Sequence, residues 1–121
     1  MGRNNIVGAW GEFLAAEYFK KRKYKIVAMN YRCKFGEIDL IVSNSQYLIF
    51  VEVKLRKSDK FAGASEFVDY HKQRKIRTTA ELYLSQNSTD LQPRFDVIEI
   101  YAPDGIETKN PTIRHMEDAF E

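Results

Sequence analysis

Three side chains on two short apolar runs could do chemistry together. Asp39 sits in Glu37-Ile-Asp-Leu-Ile-Val42, and Glu52 and Lys54 sit in Tyr47-Leu-Ile-Phe-Val-Glu-Val-Lys54. Both runs are rich in β-branched and aromatic residues and read as strands, and Asn44-Ser45 marks a tight turn between them, so they form a hairpin. Alternation puts Glu37 and Asp39 on one face, with Ile38 and Leu40 opposite. Glu52 and Lys54 likewise share a face, with Val51 and Val53 opposite. In a hairpin closed near residues 44–46, Asp39 and Glu52 are almost equidistant from the turn and meet as cross-strand neighbours. Like charges opposite each other destabilise a sheet, which suggests a cation between them. Acidic oxygens without His or Cys suit a hard ion, Mg2+ or Mn2+. Such an ion beside an ammonium group is equipment for phosphodiester hydrolysis: it polarises the phosphate and acidifies a water, while the lysine neutralises developing charge. The other reading is a salt-bridged patch in which Lys54 neutralises Glu52 and Asp39. Spacing alone leaves both open.

The elements around this hairpin follow from pattern. Asn5 to Arg22 reads as a helix with Ile6, Trp10, Phe13, Leu14 and Phe19 as its stripe, capped by Asn4 or Asn5. Tyr24 to Tyr31 is extended, and Phe35-Gly36 is a turn signal. The run Tyr47–Lys54 is apolar enough to be a central strand buried on both faces. Leu55 to Ala62 is a Lys-rich loop. A second helix opens at Ala64 or Ser65 and runs to about Gln86, with Val68, Ile76, Ala80, Tyr83 and Leu84 as its apolar side. Arg94 to Tyr101 alternates as a last strand, and no element is assigned to the tail beyond Pro103. The order α-β-β-β-α-β is an α/β domain, a mixed sheet with flanking helices. A core over residues 5–101 lies within one domain of 121 residues.

Composition bounds the function classes. No apolar run approaches the ~18 residues of a membrane span, and Met1–Val7 lacks the apolar stretch of a signal peptide. The single Cys33 excludes an internal disulfide framework, and His71 and His115 are too far apart for a Cys/His zinc motif. The expectation is a protein of a reducing cytoplasm with no membrane partner. No G-x-x-x-x-G-K, G-x-G-x-x-G, G-x-S-x-G or H-E-x-x-H occurs, so nucleotide-loop, esterase and zinc-protease chemistry lack support. Net charge is only +2, but it is unevenly spread. Residues 1–34 carry +6, 35–53 carry −3, 54–80 carry +5 and 81–121 carry −6. An acidic island between two basic stretches becomes a polyanion-binding surface if the fold gathers them on one side. Ordinary solvated lysines are the alternative.

These residues carry a resemblance. Gly36-Glu-Ile-Asp39-Leu-Ile41 followed by Phe50-Val-Glu52-Val-Lys54-Leu-Arg56 resembles the D…E-x-K core of restriction-endonuclease-like nucleases. Together with Gly8-Ala-Trp-Gly-Glu12, Asn30-Tyr-Arg32, Lys72-Gln73 and Arg94-Phe-Asp96-Val, the set is similar to the bacterial YraN family, in the Holliday-junction-resolvase-like branch of that superfamily. The resemblance covers about residues 5–101. It implies Asp39 and Glu52 as metal ligands with the Val53 carbonyl as a third oxygen, Lys54 as the catalytic lysine, and Mg2+ or Mn2+ as cofactor. Glu12 matches a glutamate that resolvase-like members add from the first helix. Gln73 matches a glutamine of RecB-like members, although the tyrosine often found four residues later is Arg77 here. The implied activity is a metal-dependent DNA endonuclease acting on branched DNA, and one small domain would need a homodimer to cut two strands. The alternatives are a nucleic-acid-binding module of the same fold that does no chemistry, and a protein-interaction module that uses the acidic tail.

Other residues have plainer readings beside functional ones. Glu12 is equally a solvated helix residue, and Glu37 fits an arginine partner such as Arg32. Lys72, Arg74, Lys75 and Arg77 ring one helix near the acids and so fit phosphate binding, as do Arg56, Lys57 and Lys60 in the loop after Lys54. Trp10 and the tyrosines fit core packing, and Cys33 a passive thiol.

Overall fold

The computed structural model describes residues 3–57 and 68–121. Helix α1 (Arg3–Lys21) is followed by strands β1 (Lys25–Cys33), β2 (Gly36–Ser43) and β3 (Tyr47–Arg56). Helix α2 (Tyr70–Gln86) then leads to β4 (Gln92–Tyr101), a 3₁₀ turn (Gly105–Glu107) and β5 (Thr112–Phe120). The strands form one mixed sheet in the order β1-β2-β3-β4-β5. Only β3 and β4 run parallel, because α2 carries the chain back across the sheet between them. The fold is thus the expected α/β mixed sheet with flanking helices, extended by one edge strand.

Each helix seals one face. Ala15, Ala16 and Phe19 of α1 pack with Leu40, Val42, Ile49, Val51, Ile98 and Ile100. Ile76 and Ala80 of α2 pack with Ile38, Ile41, Leu48, Phe50 and Val97. β3 is the central strand, and Leu48 to Glu52 are buried without a break, as its composition requires. Burying a side chain such as Phe19 or Phe50 contributes about 1.5–3 kcal/mol.

The α1 stripe differs from the expected one. Ile6 and Phe13 are exposed, and the buried side is Gly11, Glu12, Ala15, Ala16 and Phe19. Small residues win here because they let the helix lie close to the sheet. A Cβ on Gly11 would stand 3.2 Å from the Leu55 side chain, so glycine permits the approach that carries Glu12 inward. The helix also starts at Arg3, so Asn4 and Asn5 lie within it and not before it. It ends through left-handed Lys23 (φ 72°), with Tyr24 N–H donating to the Phe19 carbonyl at 3.0 Å.

The hairpin turn is set by Asn44, whose Oδ1 accepts from Gln46 N (2.9 Å) and Tyr47 N (2.7 Å). β3 continues through Leu55 and Arg56, which were expected in a loop. The expected opening of α2 at Ala64 or Ser65, and Lys60, lie outside the described residues. Val68 and Asp69 are not helical, and Asp69 caps Tyr70–Gln86 by accepting from Lys72 N at 2.9 Å. The tail, to which no element was assigned, supplies β5, paired antiparallel to β4. No helix among the described residues is long and apolar enough to cross a membrane.

Candidate active site

The sheet forks at Asp39. β2 and β3 pair from Ser43↔Leu48 to Leu40↔Val51, and the ladder stops there. Beyond that point β2 keeps pairing with β1 as far as Cys33↔Gly36, while β3 keeps pairing with β4 as far as Arg56↔Tyr101. Each strand stays with its outer neighbour and leaves the other. The fork overturns strict alternation at this place: Ile38 joins the core under α2 and Leu40 the core under α1. Asp39 closes the gap with its side chain, Oδ2 accepting the Val53 N–H at 2.8 Å. A backbone donor orphaned by the missing ladder is satisfied by a carboxylate.

Four acids converge on this fork. Carboxylate oxygens of Glu12, Glu37 and Asp39 lie within 4.8 Å of one another. Glu52, next in register to Asp39 on β3, interacts with it directly: the Asp39 charge acts on Glu52, and a Glu52 hydrogen bond steadies Asp39. Glu12 and Glu52 are 9% and 8% exposed, so both are largely withdrawn from water. Burial and the Asp39 charge push the Glu52 carboxyl up to about 7, against Lys72 and Lys54. Burial, Asp39 and Glu37 push Glu12 to about 7 as well, against Asn30 and Arg32. Burial also raises Asp39 itself, although the Val53 amide opposes it. The donor set is all carboxylate oxygen, partly dehydrated and mutually repulsive, which is what a hard divalent cation requires.

The cations are arranged differently from the expectation. Lys72, expected to bind phosphate, bridges to Glu52 Oε2 at 3.5 Å from the first turn of α2. Lys54 is half-buried and acts as a neighbouring positive charge on both Glu52 and the cap residue Asp69. Gln73 does not stand out as an acid partner: its amide donates to the Val68 carbonyl at 2.7 Å and fastens the entry to α2. Arg56 is drawn into the sheet, where Nη2 lies 3.3 Å from Oε2 of fully buried Glu99. Arg77 donates to the Glu121 carbonyl at 2.6 Å, away from the fork. Arg74, Lys75 and Lys57 are exposed. Arg32 pairs with Glu37 at 3.7 Å, as expected.

Asn30 is a site residue that its type alone did not reveal. It lies between the pairs Met29↔Leu40 and Tyr31↔Ile38, hence opposite Asp39, in a left-handed conformation (φ 54°). Its Nδ2 donates to Glu12 Oε1 at 2.6 Å and fixes that carboxylate over the fork. The signal was the Asn30-Tyr-Arg32 motif, since asparagine tolerates positive φ where other side chains do not.

A family model described as "Uncharacterised protein family UPF0102" matches residues 11–100, a span that holds all four acids, both lysines and Asn30. The chain is 46% identical over 116 residues to a UPF0102 protein of Caldanaerobacter subterraneus subsp. tengcongensis, covering 94% of this chain and 93% of that one. A UPF0102 protein of Alkaliphilus oremlandii is 43% identical over 120 residues, covering 97% and 99%. One from Clostridium botulinum is 37% identical over 120 residues, covering 98% and 96%. By extent and identity alike, the chain belongs to the UPF0102 family.

Proposed function

We propose that the protein is a metal-dependent phosphodiester hydrolase of the restriction-endonuclease-like kind, acting on DNA, with branched DNA as the favoured substrate. The observation that carries this reading is the repulsive carboxylate cluster at the fork, raised by burial and flanked by two lysines. Asp39 and Glu52 would hold Mg2+ or Mn2+, joined by Glu12 and by the Val53 carbonyl. The bound ion would supply Lewis-acid activation of the phosphate and a more acidic water. Lys54 orients the attacking water and meets charge as it develops on the phosphorane oxygens. Lys72 balances Glu52 and holds it in place. Asn30 holds Glu12, and Gln73 keeps the start of α2 beside the acids. The proposed setting is the cytoplasm, and cutting two strands with one such site per chain would need a homodimer.

The test is cleavage of four-way junctions, flaps, single strands and duplexes with Mg2+ or Mn2+. Wild type should cut at least one of them. Asp39→Asn should lose cleavage, and Lys54→Ala should lose turnover by roughly 10²–10³-fold while still binding the ion. A wild-type protein that cuts nothing on this panel and binds no ion is a nucleic-acid-binding module instead.

A further inference from the structure

A second feature lies on the outer side of α2. His71, Arg74, Lys75 and Thr78 recur at i, i+3, i+4 and i+7, so they form one stripe. With Phe35 they line a cleft of about 290 Å³. Phe35 stands at the β1–β2 turn and is 43% exposed, so its ring is open to a ligand. The turn is pressed onto the helix at Gly36 (φ 151°), where a Cβ would meet Thr79 Oγ1 at 3.3 Å and Lys75 Cβ at 3.6 Å. One wall is therefore an aromatic face and the other two cations, with no carboxylate among the lining residues.

We infer that this cleft takes one unpaired nucleotide of a DNA strand, its base stacked on Phe35 and its phosphate on Arg74 and Lys75. Aromatic rings interleaved with cations are the chemistry of single-strand recognition, since every base has a π-face and every linkage a charge. The volume lies near the lower end of small-ligand sites, roughly 300–1,000 Å³, which is the scale of one nucleotide. Phe35 is two residues from Glu37, whose carboxylate belongs to the acid cluster. Lys75 is three residues beyond Lys72 on α2, which holds Glu52, or about 4.5 Å along the helix axis. A nucleotide held here therefore adjoins the scissile position and selects substrates with unpaired bases near the cut. The inference rests on the proposed nucleic-acid reading and adds the substrate feature that the site demands.

The test is binding alone, in EDTA, so that catalysis plays no part. The probes are a single-stranded DNA oligonucleotide carrying 2-aminopurine and the same sequence as a duplex. Wild type should bind the single strand and quench the 2-aminopurine, because stacking quenches it. Phe35→Ala should weaken single-strand binding roughly five- to a hundred-fold and abolish the quenching, with duplex affinity unchanged. Phe35→Trp should retain both. Arg74→Ala with Lys75→Ala should lower the salt slope by about 0.7 for a single strand, the share of one phosphate contact. If Phe35→Ala binds and quenches like wild type, the cleft inference is wrong while the nucleic-acid reading stands. If wild type binds neither probe, the nucleic-acid reading itself fails.

Discussion

Asp96 and Glu52 are both buried acids on the two central parallel strands, and the protein treats them in opposite ways. Asp96 is fully buried, yet each of its oxygens is answered. Arg94 donates twice at 2.9 Å, His115 Nε2 lies 2.7 Å away and the Asp118 N–H donates at 3.0 Å. Burial works against ionisation there, but the His115, Arg94 and Asp118 bonds hold the carboxyl below its ordinary range. Tyr18 completes the chain through His115 Nδ1 at 3.0 Å and ties α1 to β5. Glu99, three residues further along β4, is met by Arg56, Tyr101 and Arg114. At the fork, Glu12, Glu37, Asp39 and Glu52 share fewer donors, and three of the four are raised. Burial is therefore not what separates these two sets of acids. The distinction is whether the protein itself supplies the opposite charge.

Removing one acid from each set should separate them most sharply. Asp96→Asn leaves the Arg94 guanidinium buried without its partner and should lose about 3–5 kcal/mol in urea unfolding. Asp39→Asn in metal-free protein removes a repulsive charge and should be neutral or stabilising by about 1 kcal/mol. A comparable loss at both positions would mean that the fork is an ordinary structural network.

The pH dependence of stability should run in opposite directions. The Glu12 and Glu52 carboxyls are raised in the folded state, from an ordinary 4.5 to about 7. Their contribution is present below about 4.5 and is lost as pH rises through 7. At 1.36 kcal/mol per pKa unit this is up to about 3 kcal/mol for each group, less because both depend on the one Asp39 charge. The Asp96 contribution has the reverse sign, present near neutrality and lost on acidification. Metal-free wild type should therefore unfold at lower urea at pH 8 than at pH 5.5, and Asp39→Asn should flatten that slope. A wild-type profile already flat over this interval contradicts the raised pair.

The smallest effect should come from Asn30→Ala. Losing the bond to Glu12 should cost about 1 kcal/mol and raise Glu12 further, seen as an upward shift of its carboxyl titration by NMR. Asn30→Gly, which keeps the positive φ, should give the same titration shift with less loss of stability. No movement of Glu12 in either variant would remove Asn30 from the site.

Much of this was legible in the residues, and the gaps have physical causes. The turn at Asn44 and the centrality of β3 follow from local chemistry, and the equal distances of Asp39 and Glu52 from that turn bring them together although the ladder stops one pair short of them. The fork does not, because it arises when β1 and β4 each hold one strand of the hairpin more strongly than the strands hold each other. For the same reason the assignment of Lys72 to Glu52 could not be read from spacing, since it depends on where Asp69 starts the helix. β5 was hidden by its composition. Thr112–Phe120 has few apolar residues, and a bulge with Asp118 at φ 52° breaks its alternation. What secures it is the buried link from His115 to Asp96, a contact 19 residues apart in sequence.

The most direct measurement is calorimetric titration of the wild-type protein with Mn2+ at pH 6.5, repeated in buffers of different ionisation enthalpy. A divalent ion at the fork must displace the protons that Glu12 and Glu52 hold near their raised values of about 7. The expected result is saturable binding with release of roughly one to two protons per ion. Asp39→Asn should lose that binding, and Asp96→Glu, a change outside the fork, should keep it. Absence of binding by wild type, or equal binding by Asp39→Asn, would contradict the assignment of the fork as a metal site.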